Sequence, residues 1–191
     1  MTHGATARLF VAVDPPGDVC RQLSEWTRGA TRRADEGSSL RVLDPELLHV
    51  TLCFLGSRPA GEIELLGGLL GECEGAVGKL SVGAPLWLPP RHPRALAVEL
   101  HDEDHKLARL QTEVVEVLDE VGDDGREQVG AKRHFRPHVT VARMGHGVAP
   151  RERVLPPTPA LSFVPTELIL YRSWLSPEGA SYEAMVTHPI G

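Results

Sequence analysis

The sequence predicts an α+β fold built from two related halves. Three observations point there. Strand-like and helix-like segments are mixed along the chain, roughly in the order β-α-β-β-α-β-β-α-β-β-β. The triplet His-Val-Thr occurs twice, at 49–51 and 138–140, each copy near a hairpin and a long helix. The C-terminal segments "TELILYRSWL" and "SYEAMVTH" flank the turn "SPEGA" and read as a hairpin.

Each element follows from its local pattern. "RLFVAVD" (8–14) is a short apolar run stopped by "PPGD", which predicts a buried strand. From Asp18 to about Ala34 the spacing of Val19, Leu23, Trp26 and Ala30 predicts an amphipathic helix, with Arg21, Arg28, Arg32 and Arg33 on the wetter side. "SLRVL" (39–43) predicts a strand. "DPELL" then turns into "HVTLCFLG", a second strand closed by Gly56. Residues 59–77 read as a helix weakened by internal glycines. "KLSVGAPLWL" and "RALAVELH" are strands separated by the loop "PPRHP". Residues 101–122 predict the clearest helix. Leu107, Leu110, Val114, Val117, Leu118 and Val121 make one stripe, Asp102 or Asp104 caps its start, and Gly122 ends it. A polar loop, "DDGREQVGAKR", leads to the strand "HFRPHVTVAR". A long proline-rich loop follows before the final hairpin.

Composition narrows the function classes. The 191 residues suit one domain, 1–191, of two intimate lobes, and 41% hydrophobic content is enough for an ordinary core. A net charge of −6 argues against a protein that coats nucleic acid, yet leaves room for a small site that holds one phosphate. The three cysteines, Cys20, Cys53 and Cys73, are scattered, which points away from a disulfide framework or zinc site and toward a reducing compartment. The N-terminus lacks a secretory pattern and no run approaches a membrane span, so a cytoplasmic, soluble chain is expected.

The repeated triplet carries the chemistry. Alternation puts His49, Thr51 and Cys53 on one strand face, with Val50, Leu52 and Phe54 on the other. In the second copy His138 and Thr140 share a face with Ala142. An imidazole titrates near neutrality and can give or take a proton, and a threonine hydroxyl can donate to an anionic oxygen. Two such pairs across a cleft would hold a phosphate between two hydroxyls, with a base on one side and an acid on the other. In-line displacement at phosphorus needs that arrangement. Residues 131–143 hold Lys132, Arg133, Arg136 and Arg143 and no acid, a basic patch suited to an anionic substrate. Parity puts Arg136 on the face of His138 and makes it the better phosphate contact. Arg143 falls on the opposite face and reads as structural unless a bulge resets the register.

Other residues fit bland roles better. His101 and His105 in "HDEDH" have metal-ligand spacing, but the segment opens a helix where caps are expected. Cys53 reads as a small buried residue rather than a nucleophile. The basic loop 89–94 reads as a solvated turn. Phe10 and Trp87 could stack on a base, but with aromatics at 5% the core claims them.

The segments "RLFVAVDPP", "DPELLHVTLCFLG", "HFRPHVTVAR" and "LYRSWLSPEGASYEAM" together resemble the 2H phosphoesterases, in particular the RNA 2′,3′-cyclic phosphodiesterases long called bacterial 2′-5′ RNA ligases. The resemblance covers nearly the whole chain. It lacks only the tryptophan usual before the first motif. It implies a bilobal fold with two antiparallel sheets around a central cleft and helices outside. It also implies metal-independent, cofactor-free opening of a 2′,3′-cyclic phosphate to a 2′-phosphate, reversible toward 2′-5′ ligation. His49 and His138 match the two catalytic histidines, and Thr51 and Thr140 the two phosphate-binding threonines. His138 is read as base on water and His49 as acid to the leaving oxygen. The partners expected are RNA ends or short oligonucleotides bearing the cyclic phosphate, acted on by a monomer. The rival readings are a relative acting on small cyclic nucleotides or oligoadenylates, and a non-catalytic RNA-end binding module.

Overall fold

The structure, a computed structural model, describes residues 5–31, 40–119, 135–145, 150, 154–177 and 179–191. Arg32, Arg33, the 123–133 loop with Lys132 and Arg133, and the Gly122 helix stop lie outside the described residues. Nine strands and three α-helices are described: β1 (Thr6–Val13), α1 (Gly17–Thr31), β2 (Leu40–Val42), β3 (Val50–Pro59), α2 (Ile63–Leu70), β4 (Leu80–Leu88), β5 (Ala95–His101), α3 (Lys106–Asp119), β6 (His138–Met144), β7 (Ser162–Phe163), β8 (Glu167–Ser176) and β9 (Gly179–Pro189). They form two sheets, of order β3-β1-β8-β9 and β2-β6-β5-β4-β7, and every pairing is antiparallel. The α+β class and its two antiparallel sheets stand as the sequence predicted. Only the two-residue β7 was not anticipated.

Helices α1 and α3 are exchanged between the sheets. The chain leaves β1 in the four-stranded sheet, and α1 then packs on β2 and β6 of the five-stranded one. Conversely α3 packs on β3, and α2 packs on β9 and on α3. The core is continuous through both, from Leu9, Val11 and Val13 to Leu96, Val139 and Val141.

Helix α1 buries Val19 and Leu23 as expected, but its inner stripe is completed by Cys20, Ser24, Thr27 and Thr31 rather than by Trp26 and Ala30. These threonines tolerate burial because each hydroxyl donates to the carbonyl four residues back, at 2.7 Å. At the start of α3 both aspartates cap. Asp102 accepts from the Leu107 and Ala108 amides, and Asp104 from that of Lys106. His105 adopts φ 57 at this entry, so "HDEDH" is a helix start. Among the described residues no group of three or more His, Cys, Asp or Glu side chains could hold a metal. No described helix is long and apolar enough to cross a membrane.

Two boundaries differ from expectation. Helix α2 runs only Ile63–Leu70, after one 3₁₀ turn, instead of spanning 59–77. Strand β3 does not close at Gly56. That residue takes φ 69 inside the strand, and pairing continues to Pro59.

The glycines of α2 are not equivalent. A Cβ on Gly67 would sit 2.6 Å from a Val186 methyl, whereas one on Gly68 meets nothing within 4 Å. Gly67→Ala should therefore lower unfolding stability by about 1–3 kcal/mol through overpacking. Gly68→Ala should raise it by roughly 0.5–1 kcal/mol through helix propensity. Urea denaturation of the two variants checks the contrast.

Candidate active site

The two His-x-Thr strands lie in matching ladders. Along β1 and β3, Val13 faces Val50, Ala12 faces Thr51, Val11 faces Cys53 and Phe10 faces Phe54. Along β5 and β6, Val98 faces Val139, Ala97 faces Thr140, Leu96 faces Ala142 and Ala95 faces Arg143. Each strand skips one residue just after its threonine, Leu52 in one and Val141 in the other. Each threonine stands opposite an alanine, which leaves its hydroxyl uncovered from that side.

The bulges overturn strict alternation. Leu52 and Cys53 are both buried, as are Val141 and Ala142. Cys53 therefore leaves the histidine face for the core, where burial pushes its thiol up to about 12. In its place Phe54 returns to the face of Thr51. By the same step Arg143 comes onto the face of Thr140, so the expectation that it is structural is corrected.

The histidines are held identically. His49 lies just before β3, and His138 opens β6. His49 Nδ1 is 2.9 Å from the carbonyl oxygen of Leu47, and His138 Nδ1 is 2.8 Å from that of Arg136. A carbonyl only accepts, so each Nδ1–H donates to the carbonyl two residues back. Each imidazole is thereby locked in one tautomer with Nε2 left for a substrate. Their surroundings differ. His49 sits in an aromatic nest. Phe10 and Tyr182 lie 5.1 Å apart, each within about that distance of the imidazole (4.9 Å for Phe10, 5.1 Å for Tyr182). Tyr171 stacks on Phe10 at 5.1 Å. Burial is the main cause that pushes His49 down to about 4, and the charges of Arg143 and His138 add to it. His49, Arg143 and His138 thus share one electrostatic neighbourhood, although they come from two sheets.

A cavity of about 420 Å³ opens beside His49. Arg143 lines it along with Arg8, Phe10, Phe54, Ser173 and Tyr182. The threonines and His138 are not part of this lining. Neither Thr51 nor Thr140 has a hydroxyl partner among the described residues, and both are partly buried. Arg136 is engaged elsewhere: its Nη2 and Nε donate to Glu99, at 2.9 and 3.2 Å, and Glu99 faces His138 in the ladder. The two arginines therefore stand in the reverse of their sequence ranking. A second hollow, beside Asp14, Asp44 and Glu46, is too acidic in its lining to suit an anion.

Several residues of the site had no signal by spacing. Tyr171 and Tyr182 come from the C-terminal hairpin. Tyr171 is anchored by donating to the Asp14 carboxylate at 2.6 Å. Burial raises the titration of both groups of that pair. Phe10 is 3% exposed, as a core residue should be, yet it forms the floor under the His49 ring. Trp87 packs against the core, and Arg91 and His92 of the 89–94 loop point to solvent, as expected.

Comparison with known proteins decides the family. No family model matches the chain. An RNA 2′,3′-cyclic phosphodiesterase of Thermus thermophilus is 31% identical over 183 residues, 93% of this chain and 87% of that protein. The chain belongs to the RNA 2′,3′-cyclic phosphodiesterase family of 2H phosphoesterases. An Archaeoglobus fulgidus protein of the same name is 29% identical over 72% of both chains. A solved structure from Thermus thermophilus superposes with a TM-score of 0.76 at 28% identity, over 95% of this chain and 97% of that one. The fold of Escherichia coli LigT, solved with 3′-AMP, matches with a TM-score of 0.76 at 22% identity, over 97% and 99%.

The neutral, buried His49 has a consequence for stability. Its folded titration near 4 lies below the unfolded value of 6.5, so the unfolded chain takes up the proton first. Stability should be lost as pH falls from 6.5 to 4, by at most about 3 kcal/mol from this group. Denaturation at pH 4.5 and 7 should show this loss shrink in His49→Ala. Histidine-detected NMR should find His49 titrating higher in Arg143→Gln than in the parent.

Proposed function

We propose that this family member opens the 2′,3′-cyclic phosphate at an RNA end to a 2′-phosphate, by general acid–base catalysis without a metal. One observation carries the reading. Each of the matched ladders carries a tautomer-locked imidazole with a threonine two residues on, and the charges of His138 and Arg143 both reach His49. A phosphate held by Thr51, Thr140 and Arg143 would have an Nε2 on either side.

The surroundings support one assignment of the roles. The nucleoside fits the aromatic, cavity-lined side of His49, so the departing 3′ oxygen lies there. Water attacks in line from the side of His138, whose Nδ1 hydrogen bond is solvent-exposed. His138 takes the proton of water, and His49 protonates the leaving oxygen. His49 is neutral in the free protein, so the phosphate's own charge must raise it before it can act as an acid. With the 5′-hydroxyl of a second RNA in place of water, the same two groups would form a 2′-5′ bond: His138 takes the hydroxyl proton, the 5′ oxygen bonds to phosphorus, and the P–O3′ bond breaks as His49 protonates the leaving oxygen.

Hydrolysis of a 2′,3′-cyclic nucleotide, followed by phosphorus NMR, tests the proposal and reports which ester breaks. His49→Ala and His138→Ala should each cost ~10²–10⁴ in kcat, and EDTA should leave activity unchanged. Loss of less than about threefold in either variant, or activity abolished by EDTA, sinks the mechanism. A nitrophenyl phosphodiester separates the roles, since its leaving group needs no proton. On that substrate His49→Ala should regain most of its activity and His138→Ala should not. The acidic limb of the kcat/KM profile should lie near pH 4, where His49 of the free enzyme becomes charged.

A further inference from the structure

The mouth of the cavity gathers three arginines from three strands and both sheets. Arg8 of β1 and Arg143 of β6 line it directly. Arg41 of β2 stands opposite Arg143 in the ladder and so points to the same face. Its guanidinium lies over Gly179, another lining residue, at the spot a Cβ there would occupy. Gly179 also has φ 133, so backbone and neighbour both call for glycine. Arg41 thus spans from the five-stranded sheet to the hairpin of the other sheet.

None of these three arginines has an acidic partner among the described residues, whereas Arg58 and Arg136 are each paired with a glutamate. In a chain of net charge −6 this is a local concentration of cation without acidic partners among the described residues. A cyclic phosphate carries one negative charge, and Arg143 with the two threonines meets it. Arg8 and Arg41 are surplus to that need. The same cavity lining presents Phe54, 65% exposed, and Leu175, 69% exposed. An exposed aromatic face beside a cationic groove suits a base and its backbone.

Resting on the phosphodiesterase reading above, we propose that Arg41 and Arg8 form a second phosphate subsite for the phosphodiester one nucleotide upstream of the cyclic end. The substrate class is then an RNA oligonucleotide end rather than a mononucleotide. Guanidinium is the fitting group, since its planar fork matches a phosphate in two-point contact.

The test compares kcat/KM on cytidine 2′,3′-cyclic phosphate with that on a trinucleotide ending in the same group. The wild type should prefer the trinucleotide by about tenfold or more. Arg41→Gln should lose that preference while leaving the mononucleotide within about twofold. It should also flatten the salt dependence on the trinucleotide by about 0.7 in log–log slope, one phosphate contact on a single strand. Gly179→Ala, which displaces the guanidinium, should reproduce the trinucleotide-specific loss. Equal loss on both substrates would show that Arg41 only anchors the hairpin, and no loss would show that it does nothing for the substrate. Either result overturns the subsite. If the wild type hydrolyses neither substrate, the phosphodiesterase reading fails first. The subsite then stands or falls on binding: fluorescence anisotropy must show Arg41→Gln weakening a labelled trinucleotide 2′-phosphate and sparing the mononucleotide.

Discussion

The site depends on a one-residue bulge placed just after each threonine. A regular strand would have to choose. If His and Thr face the cleft, the second residue after Thr must face it too, and that residue is Cys53 or Ala142. The core needs those positions, and the cleft needs the residue after them. Skipping Leu52 and Val141 satisfies both demands, because two consecutive apolar side chains are buried and the next is re-aimed outward. The result is Phe54 in one strand and Arg143 in the other, at the same offset from the histidine. One backbone device, used twice, gives the cleft an aromatic wall from one side and a cation from the other.

The two halves share a backbone but not an environment. Both imidazoles are held by a carbonyl two residues back, which fixes tautomer and orientation and leaves Nε2 free of that bond. What separates them is what lies around the ring. His49 is enclosed by Phe10 and Tyr182, with Tyr171 behind, and burial outweighs its hydrogen bond in setting its charge. His138 stands beside the Glu99–Arg136 pair instead. Near-symmetric geometry with unequal dielectric surroundings distinguishes two chemically identical groups.

The sequence was informative where local rules decide. Apolar runs, the aspartate caps of α3 and the terminal hairpin are set by neighbours within a few residues, and each appears where the pattern placed it. Parity also put His and Thr together on one face, since they lie before the bulge. It failed beyond the bulge, at Cys53 and Arg143, because a skipped residue is a property of the pairing with β1 or β5. Arg136 was favoured on charge and parity. Its neutralisation by Glu99 depends on a strand 37 residues away. The aromatic nest was illegible for the same reason: Phe10, Tyr171 and Tyr182 meet only through sheet order. In α2, the glycines that weaken the helix signal include Gly67, which makes room for Val186 of β9.

The exchange of helices between sheets bears on how the chain is made. Strand β1, the most thoroughly buried, lies between β3 and β8. During synthesis it emerges before either neighbour, and the second, β8, appears more than 150 residues later. The first 90 residues put strands into both sheets and complete neither, and α1 waits for β6 before its inner face is covered. The nascent chain therefore carries open apolar edges until β6 and β8 have been made, a topology of high contact order that favours late, cooperative closure and transient need of a chaperone.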